Sequence, residues 1–362
     1  MSALPHSELQ YCVRCCLPET VEGITFDRRG ICAGCNSSEQ KMAINWEDRF
    51  ETLRSLADKY KLSANSSYDC IVPISGGKDS CYQLYVVKNI LGLNPLAVTF
   101  SHMWYSSVGK YNLENALEKF DVDHFMYSPK RSLVNRLARK SLCLIGDSCW
   151  HCHAGVGAFP LHVAVKFGIK LLIWGESAAE NGTKADYKNP IKFDHSYFEK
   201  ISAKVPVERV IDNDIRSEEV SLFRIPDKKE ILDAEIEGIH LGDYLFWDDE
   251  RFVDFLKREI DWREDKVEGT YKGYKSVECR MAGVHDYMKY KKRGFGRATD
   301  NATRDVRAGI LTREEGFELI QTHDAMRPDA LDYYMEITGL SEEEIESELR
   351  SKRVVKAKNI DL

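Results

Sequence analysis

The chain has no apolar run approaching the ~18 residues that a membrane-crossing helix needs, so no membrane association is expected. It has no basic excess either. Its 51 Lys and Arg stand against 58 Asp and Glu, a formal net charge of −7, which argues against a general nucleic-acid binder. Residues Met1 to Glu8 have neither the basic segment nor the apolar stretch of a secretory leader, so a cytoplasmic location is expected. Internal repeats and low-complexity tracts are absent. No glutaminase triad is recognisable, and Met1-Ser2 offers no N-terminal cysteine nucleophile.

What is present describes a globular protein. At 362 residues, 43% of them hydrophobic and 30% charged, the chain is long enough for about two domains. Eleven cysteines are many for a reducing compartment, and their clustering points to metal.

The most informative stretch is Ser75-Gly76-Gly77-Lys78-Asp79-Ser80. The apolar, β-branched run 68–74 before it reads as a buried parallel strand, and 81–87 after it as a helix. A glycine turn between strand and helix lets backbone N–H groups and the positive helix end converge on an anion. The form is not a Walker A loop. It resembles the PP-loop of ATP pyrophosphatases, which split ATP into AMP and pyrophosphate.

Around this turn the sequence alternates strand and helix. Residues 95–100, 124–127 and 170–175 read as further strands; 113–120, 131–142 and 154–167 read as helices. Repeated βα units imply a parallel sheet covered by helices, with ligands at the carboxyl ends of its strands. The expected fold is α/β, a doubly wound parallel sheet of the PP-loop (HUP-like) kind. Four regions are expected: a cysteine-rich module at 1–45, a helix and linker at 46–67, the PP-loop domain at 68–215, and a mostly helical region at 216–362 for substrate and partner contacts. Its last helix is capped at Ser341 to Glu344.

Cys12-x-x-Cys15 and Cys32-x-x-Cys35 lie 16 residues apart, a zinc-ribbon spacing in which two turns present four thiolates to one Zn²⁺. Cys16 adjoins Cys15, but the regular spacing selects Cys15. A module this small folds around a metal more readily than on burial alone. Cys149 and Cys152, within Cys-Trp-His-Cys-His, form with the distant Cys279 a second candidate set for a metal or a [4Fe–4S] cluster, with zinc on His151 or His153 as a variant.

Thr99, Phe100 and Ser101 end the second strand, where they would line an adenine and ribose pocket largely through backbone contacts. Asn112 and Asn115 are read as opening the next helix and facing the same cleft. Gly175 and Glu176 follow the fourth strand, where a carboxylate reaches phosphate or Mg²⁺. The basic run Lys289 to Arg297, preceded by His285, contains Lys292, Arg293 and Arg297, with forked guanidinium groups suited to phosphate.

Over nearly its whole length the chain resembles the N-acetyl sugar amidotransferases of bacterial surface-polysaccharide biosynthesis, the WbpG/PseA type. The resemblance rests on Cys12-x-x-Cys15-x-x-Pro18, Gly23-Ile24-Thr25-Phe26-Asp27, Gly30-Ile31-Cys32-x-x-Cys35 and the Ser75 to Ser80 turn. It continues through Cys149 to His153, Gly283 to Tyr287, and Gly294 to Asp300. It implies conversion of an acetamido group on a UDP-linked N-acetyl sugar into an acetamidino group, for O-antigen and lipopolysaccharide. ATP and Mg²⁺ are the implied cofactors; a glutaminase and a cyclase-like protein are the implied ammonia-supplying partners. Ser75, Lys78 and Asp79 are the expected catalytic residues, with Gly76, Gly77 and Ser80 completing the phosphate cradle. Two rivals share these features: a PP-loop tRNA sulfurase using an iron–sulfur centre, and a metal-stabilised scaffold without activity.

Overall fold

A computed structural model describes residues 4–63, 67–180, 185–188 and 205–355. The N-terminal segment leads into helix α1 (Ala33–Met42) and helix α2 (Trp46–Ser63). The expected linker at 63–67 falls largely outside the described residues. Then follow β1 (Cys70–Pro73), α3 (Lys78–Tyr85), β2 (Pro95–Phe100), α4 (Ser107–Phe120), β3 (His124–Tyr127), α5 (Arg131–Ile145), α6 (Trp150–Phe167) and β4 (Leu171–Trp174). The four strands and their helices match the sequence reading in place and type. Helices α4 and α6 begin earlier than expected, because Ser106 caps the first and the Cys149 turn opens the second.

All strand pairs are parallel, in the order β3-β2-β1-β4-β5. The fifth strand, β5 (Glu237–His240), pairs with β4 and follows a short helix, α7 (Lys228–Asp233). This corrects the expected boundary at 215: the sheet draws its last strand from beyond it. Four residues interrupted by Gly238 carry too little periodicity to read as a strand.

Alternation along the strands sends successive side chains to opposite faces. Cys70 and Val72 join Leu53, Leu84, Leu113 and Leu256 in one core; Ile71, Leu96 and Val98 join Leu137, Trp150 and Phe159 in the other. The sheet is thus covered on both faces, as parallel sheets are. From β1 the chain winds outward through β2 and β3, then crosses to β4 on the other side of β1. The reversal opens a crevice at the carboxyl end of β1.

Beyond β5 come α8 (Asp249–Ile260), α9 (Ala282–Arg293), α10 (Arg297–Arg307), α11 (Arg313–His323), α12 (Ala330–Thr338) and α13 (Glu342–Ser351). The expected cap at Ser341 is a full capping box with Glu344, and Thr312 with Glu315 forms another. These helices are not a separate body. Met281, Val284, Tyr334 and Leu349 share a core with Trp104 and α5, and Leu9, Tyr11 and Cys16 pack on Ala302, Phe317 and Ile320. No helix among the described residues is long and apolar enough to cross a membrane.

Candidate active site at the carboxyl end of the central strand

The Ser75 to Ser80 turn joins β1 to α3 at the crevice. Gly76 takes φ +85, and a Cβ there would stand 2.6 Å from the Gly109 carbonyl oxygen and 2.9 Å from the Leu113 nitrogen. Both the left-handed backbone and the close approach to α4 demand glycine. Ser80 Oγ accepts from Ser75 N–H at 3.1 Å and donates to the Gly77 carbonyl at 3.0 Å; Gly77 N–H donates to Ser75 Oγ. Trp262 Nε1 donates to the Gly76 carbonyl at 2.9 Å. Helix α3 starts without a side-chain cap, the arrangement whose free N–H groups and positive helix end suit an anion.

Charged groups from distant segments gather here. Lys78, 4% exposed, places Nζ 2.6 Å from Asp79 Oδ2 and 3.1 Å from Asp249 Oδ1. Asp249, at the start of α8, also pairs with Lys275 and with Arg304 of α10, and Arg304 reaches Glu176 Oε1 at 2.6 Å. Three cations and three carboxylates therefore balance. Burial works against the Asp249 charge, but Lys78, Lys275 and Arg304 outweigh it and hold the carboxyl well below its usual range. Burial also opposes the Lys78 charge, yet Asp79 and Asp249 raise its pKa above the ordinary lysine value. Lys275 has the opposite balance: burial, with Lys78 and Arg304 as neighbours, lowers it to about 8. Burial raises Glu176 against the pull of Arg304, with Asp249 and Asp79 adding to the rise.

Asp249, Lys275 and Arg304 form one wall of a 570 Å³ cleft with Trp247, Tyr274 and Arg307. The loop meets this cleft through Asp79, which accepts from Trp247 Nε1 at 3.1 Å, and through Lys78 on Asp249. Arg297 lies in an adjoining 280 Å³ hollow that shares Lys275, Arg304 and Arg307, and Asp286 holds its guanidinium at 2.7 Å.

The side chains at the end of the second strand differ in where they turn, which is separate from the backbone contacts expected there. Ser101 and Met103 line a 490 Å³ hollow beside Leu113, on the α4 side of the turn. Thr99 and Phe100 do not line it. Thr99 Oγ1 donates to the Ile74 carbonyl at 2.6 Å, and Phe100 is packed against Gly155 in the core. Asn112 and Asn115 are corrected. They sit mid-helix, and their amides hold the chain at 260–263: Asn112 bonds both Arg263 N–H and its carbonyl, and Asn115 the Ile260 carbonyl. They position Trp262, and through it Gly76, rather than face a ligand. Gly175 is buried against Trp247 and Gln83. The basic run is split by the helix break at Gly294, φ +75. His285, Lys292 and Arg293 open on a different hollow from Arg297.

The four cysteines of the N-terminal module converge as expected. All four are buried, with one sulfur from each inside 4.8 Å of the others. Cys12 to Cys35 is 3.8 Å and Cys15 to Cys32 is 3.7 Å. Sulfurs set tetrahedrally about 2.3 Å from one ion stand about 3.8 Å apart, so the set fits a single Zn²⁺. Backbone N–H groups of Arg14, Cys32 and Cys35 point at these sulfurs. Arg307 Nη2 lies 3.4 Å from Cys32 Sγ, and Arg313 Nε donates to the Cys12 and Cys15 carbonyls. Cys16 is outside the set, its thiol turned to the Arg313 carbonyl.

The second cysteine set behaves differently. Cys149, Cys152 and Cys279 share an apolar cluster, but among the described residues they do not form a group within reach of one ion. A single-ion site on these three sulfurs is therefore corrected. Cys149 instead lies 3.3 Å from Ser148 Oγ, and burial drives all three thiols up. His151 is committed to the His102 carbonyl at 3.3 Å.

Residues 268–358 match the family described as LPS biosynthesis protein WbpG-like, C-terminal domain. That match spans Lys275, Glu278, Arg297, Arg304 and Arg307. Two uncharacterized proteins of Methanocaldococcus jannaschii are related. MJ1599 is 21% identical over 82% of this chain and 87% of its own length; MJ1016 is 25% identical over 66% and 83%. A solved structure of NMN synthetase from Francisella tularensis aligns over 62% of this chain and 99% of its own at 11% identity. Its TM-score is 0.28.

Sequence reasoning missed Asp249, Lys275 and Arg304. One signal was readable for the last. Arg297, Asp300, Arg304 and Arg307 recur at helical spacing opposite small residues Ala298 and Ala302, a charged stripe suited to a polar cleft.

Proposed function

We propose that this chain is an AMP- and pyrophosphate-forming amidotransferase that adenylates the amide oxygen of an N-acetyl group on a nucleotide-activated sugar and replaces that oxygen with ammonia. The observation that carries the reading is the uncapped helix start at Ser75 to Ser80, with the Lys78, Lys275 and Arg304 cations gathered between it and the 570 Å³ cleft. The match of 268–358 to a WbpG-like C-terminal domain supports lipopolysaccharide as the destination.

An amide carbon is a poor electrophile because oxide leaves badly. The amide oxygen attacks the α-phosphorus of ATP, a P–O bond forms, and the bond to pyrophosphate breaks. The loop N–H groups and Lys78 take up the charge that develops on the leaving pyrophosphate, as fixed dipoles do most effectively in a dry site. Ammonia then adds to the imidate carbon, AMP departs with the former amide oxygen, and the one proton shed on nitrogen addition is taken up by water, leaving the product as an amidinium ion. Lys275, a cation paired with Asp249 and open to the cleft, suits contact with phosphate. Asp79 and Glu176 are the carboxylates that would hold Mg²⁺, which would neutralise phosphate charge. The four-cysteine set would hold a structural Zn²⁺. Ammonia would come from a partner glutaminase with its cyclase-like companion, the sugar substrate being UDP-linked.

The test is pyrophosphate release from ATP by purified chain given UDP-diacetamido sugar and ammonium. Asp79→Ala is expected to abolish that release, since it removes a carboxylate that would hold Mg²⁺, with far-UV circular dichroism unchanged. Undiminished release would remove the loop from the mechanism. Stimulation by tRNA alone would establish thiolation instead.

A further inference from the structure

Away from the cleft, three ligand-type side chains from separate stretches converge. Asp147 lies in the turn between α5 and α6, His153 in the first turn of α6, and His285 on α9. One ligand atom from each lies within 4.8 Å of the other two. Asp147 is 3% exposed; its Oδ1 lies 3.0 Å from His285 Nδ1 and accepts from Cys149 N–H at 2.9 Å. The His153 and His285 rings are tilted 51° with centroids 5.6 Å apart.

We infer that Asp147, His153 and His285 hold one divalent transition-metal ion, with further coordination positions open to an anionic oxygen ligand such as phosphate. Donors about 2.1 Å from an ion and at right angles stand about 3.0 Å apart, the separation of Asp147 Oδ1 and His285 Nδ1. Two imidazoles and one carboxylate favour Zn²⁺, Fe²⁺ or Mn²⁺ over Mg²⁺ or Ca²⁺, which prefer all-oxygen sets. This donor set is also chemically distinct from the four thiolates.

The open side is defined by a 480 Å³ hollow that Asp147 and His285 share with Lys289, Lys292, Arg293 and Lys352. Lys292 Nζ donates to the Ile145 carbonyl at 3.0 Å and Arg293 Nη1 to the Thr20 carbonyl at 2.9 Å, which fixes the cations in place. A wall of cations repels a bare metal but favours one carrying an anion, so ion and anion bind together more tightly than either alone. The bland alternative is an Asp147–His285 pair whose carboxylate only orients the ring, with no ion. The inference does not depend on the reaction proposed above, because none of its residues lines the 570 Å³ cleft.

The test uses the full chain, stripped with chelator and titrated with Co²⁺ alone. Two equivalents are expected: one with the strong thiolate-to-cobalt absorption of the four-cysteine site, and one without it. His153→Ala and His285→Asn should each reduce the stoichiometry from two to one while the thiolate band stays intact, which also shows that each variant is folded. Inorganic phosphate should perturb the cobalt d–d bands of the parent and leave those of both variants unchanged. Saturation of the parent at one equivalent, all of it in the thiolate band, would overturn the site. So would retention of two equivalents in both variants.

Discussion

Replacing Asp249 with Asn removes the hub of the buried charge cluster while keeping its shape. Asp249 faces Lys78 at 3.1 Å and Arg304 at 3.4 Å, and pairs with Lys275. At an effective dielectric near 20, each such contact is worth about 5 kcal/mol before desolvation. Desolvation offsets much of that in the intact cluster, but the variant leaves three cations against Asp79 and Glu176. Removing one partner of a buried pair costs about 3–5 kcal/mol, and the lost carboxylate at the start of α8 adds about 0.3–1 kcal/mol through the helix dipole. Against a total stability of about 5–15 kcal/mol, this is a large loss. It would be read from urea unfolding, with Asp254→Asn on the exposed face of the same helix as control. Inorganic pyrophosphate should then restore more stability to the variant than it adds to the parent, because the added anion meets an excess positive charge. A loss under 1 kcal/mol, or equal stabilisation of both proteins by pyrophosphate, would refute the idea that these cations form one anion-responsive cluster.

Gly76→Ala should cost about 2–5 kcal/mol, combining left-handed strain with the collision at Gly109; Gly168→Ala, also at positive φ but with nothing within 4 Å, should cost only the strain. If the two variants unfold at the same urea concentration, the close approach of the loop to α4 is wrong. Cys32→Ser should lower zinc content and the urea midpoint together, and unchanged values for both would count against the ribbon. Acid stability is set in part by His102 and His151, whose burial lowers them to about 3 and about 4. The unfolded chain binds more protons from pH 6.5 down to about 4, so each histidine removes stability as pH falls through that window, about 2 kcal/mol by pH 5. His151→Gln should therefore lose about 2 kcal/mol less than the parent between pH 7 and pH 5; an identical loss would show that His151 is not held neutral.

The readable parts of this protein are those fixed by a few consecutive residues. The runs at Cys70 and Pro95 are short, apolar and bounded by turn residues, so both strands and the Ser75 turn between them follow from local pattern alone. The two Cys-x-x-Cys turns likewise carry half a coordination shell each, and Ser341 with Glu344 caps its helix within four positions. What the chain alone leaves open is how separate segments meet. Glu237–His240 becomes a strand only because the edge of β4 offers hydrogen bonds to it. Asn112 and Asn115 look like ligand amides until the segment at 260–263 arrives to occupy them. Lys78 meeting Asp249, and Glu176 meeting Arg304, joins residues far apart in the chain. Charge attraction has no sequence period, and burying such charges is tolerable only where the fold brings opposite ones together. Local pattern determined the first four strands and the Ser75 turn; tertiary packing added the fifth strand and decided which charges face that turn.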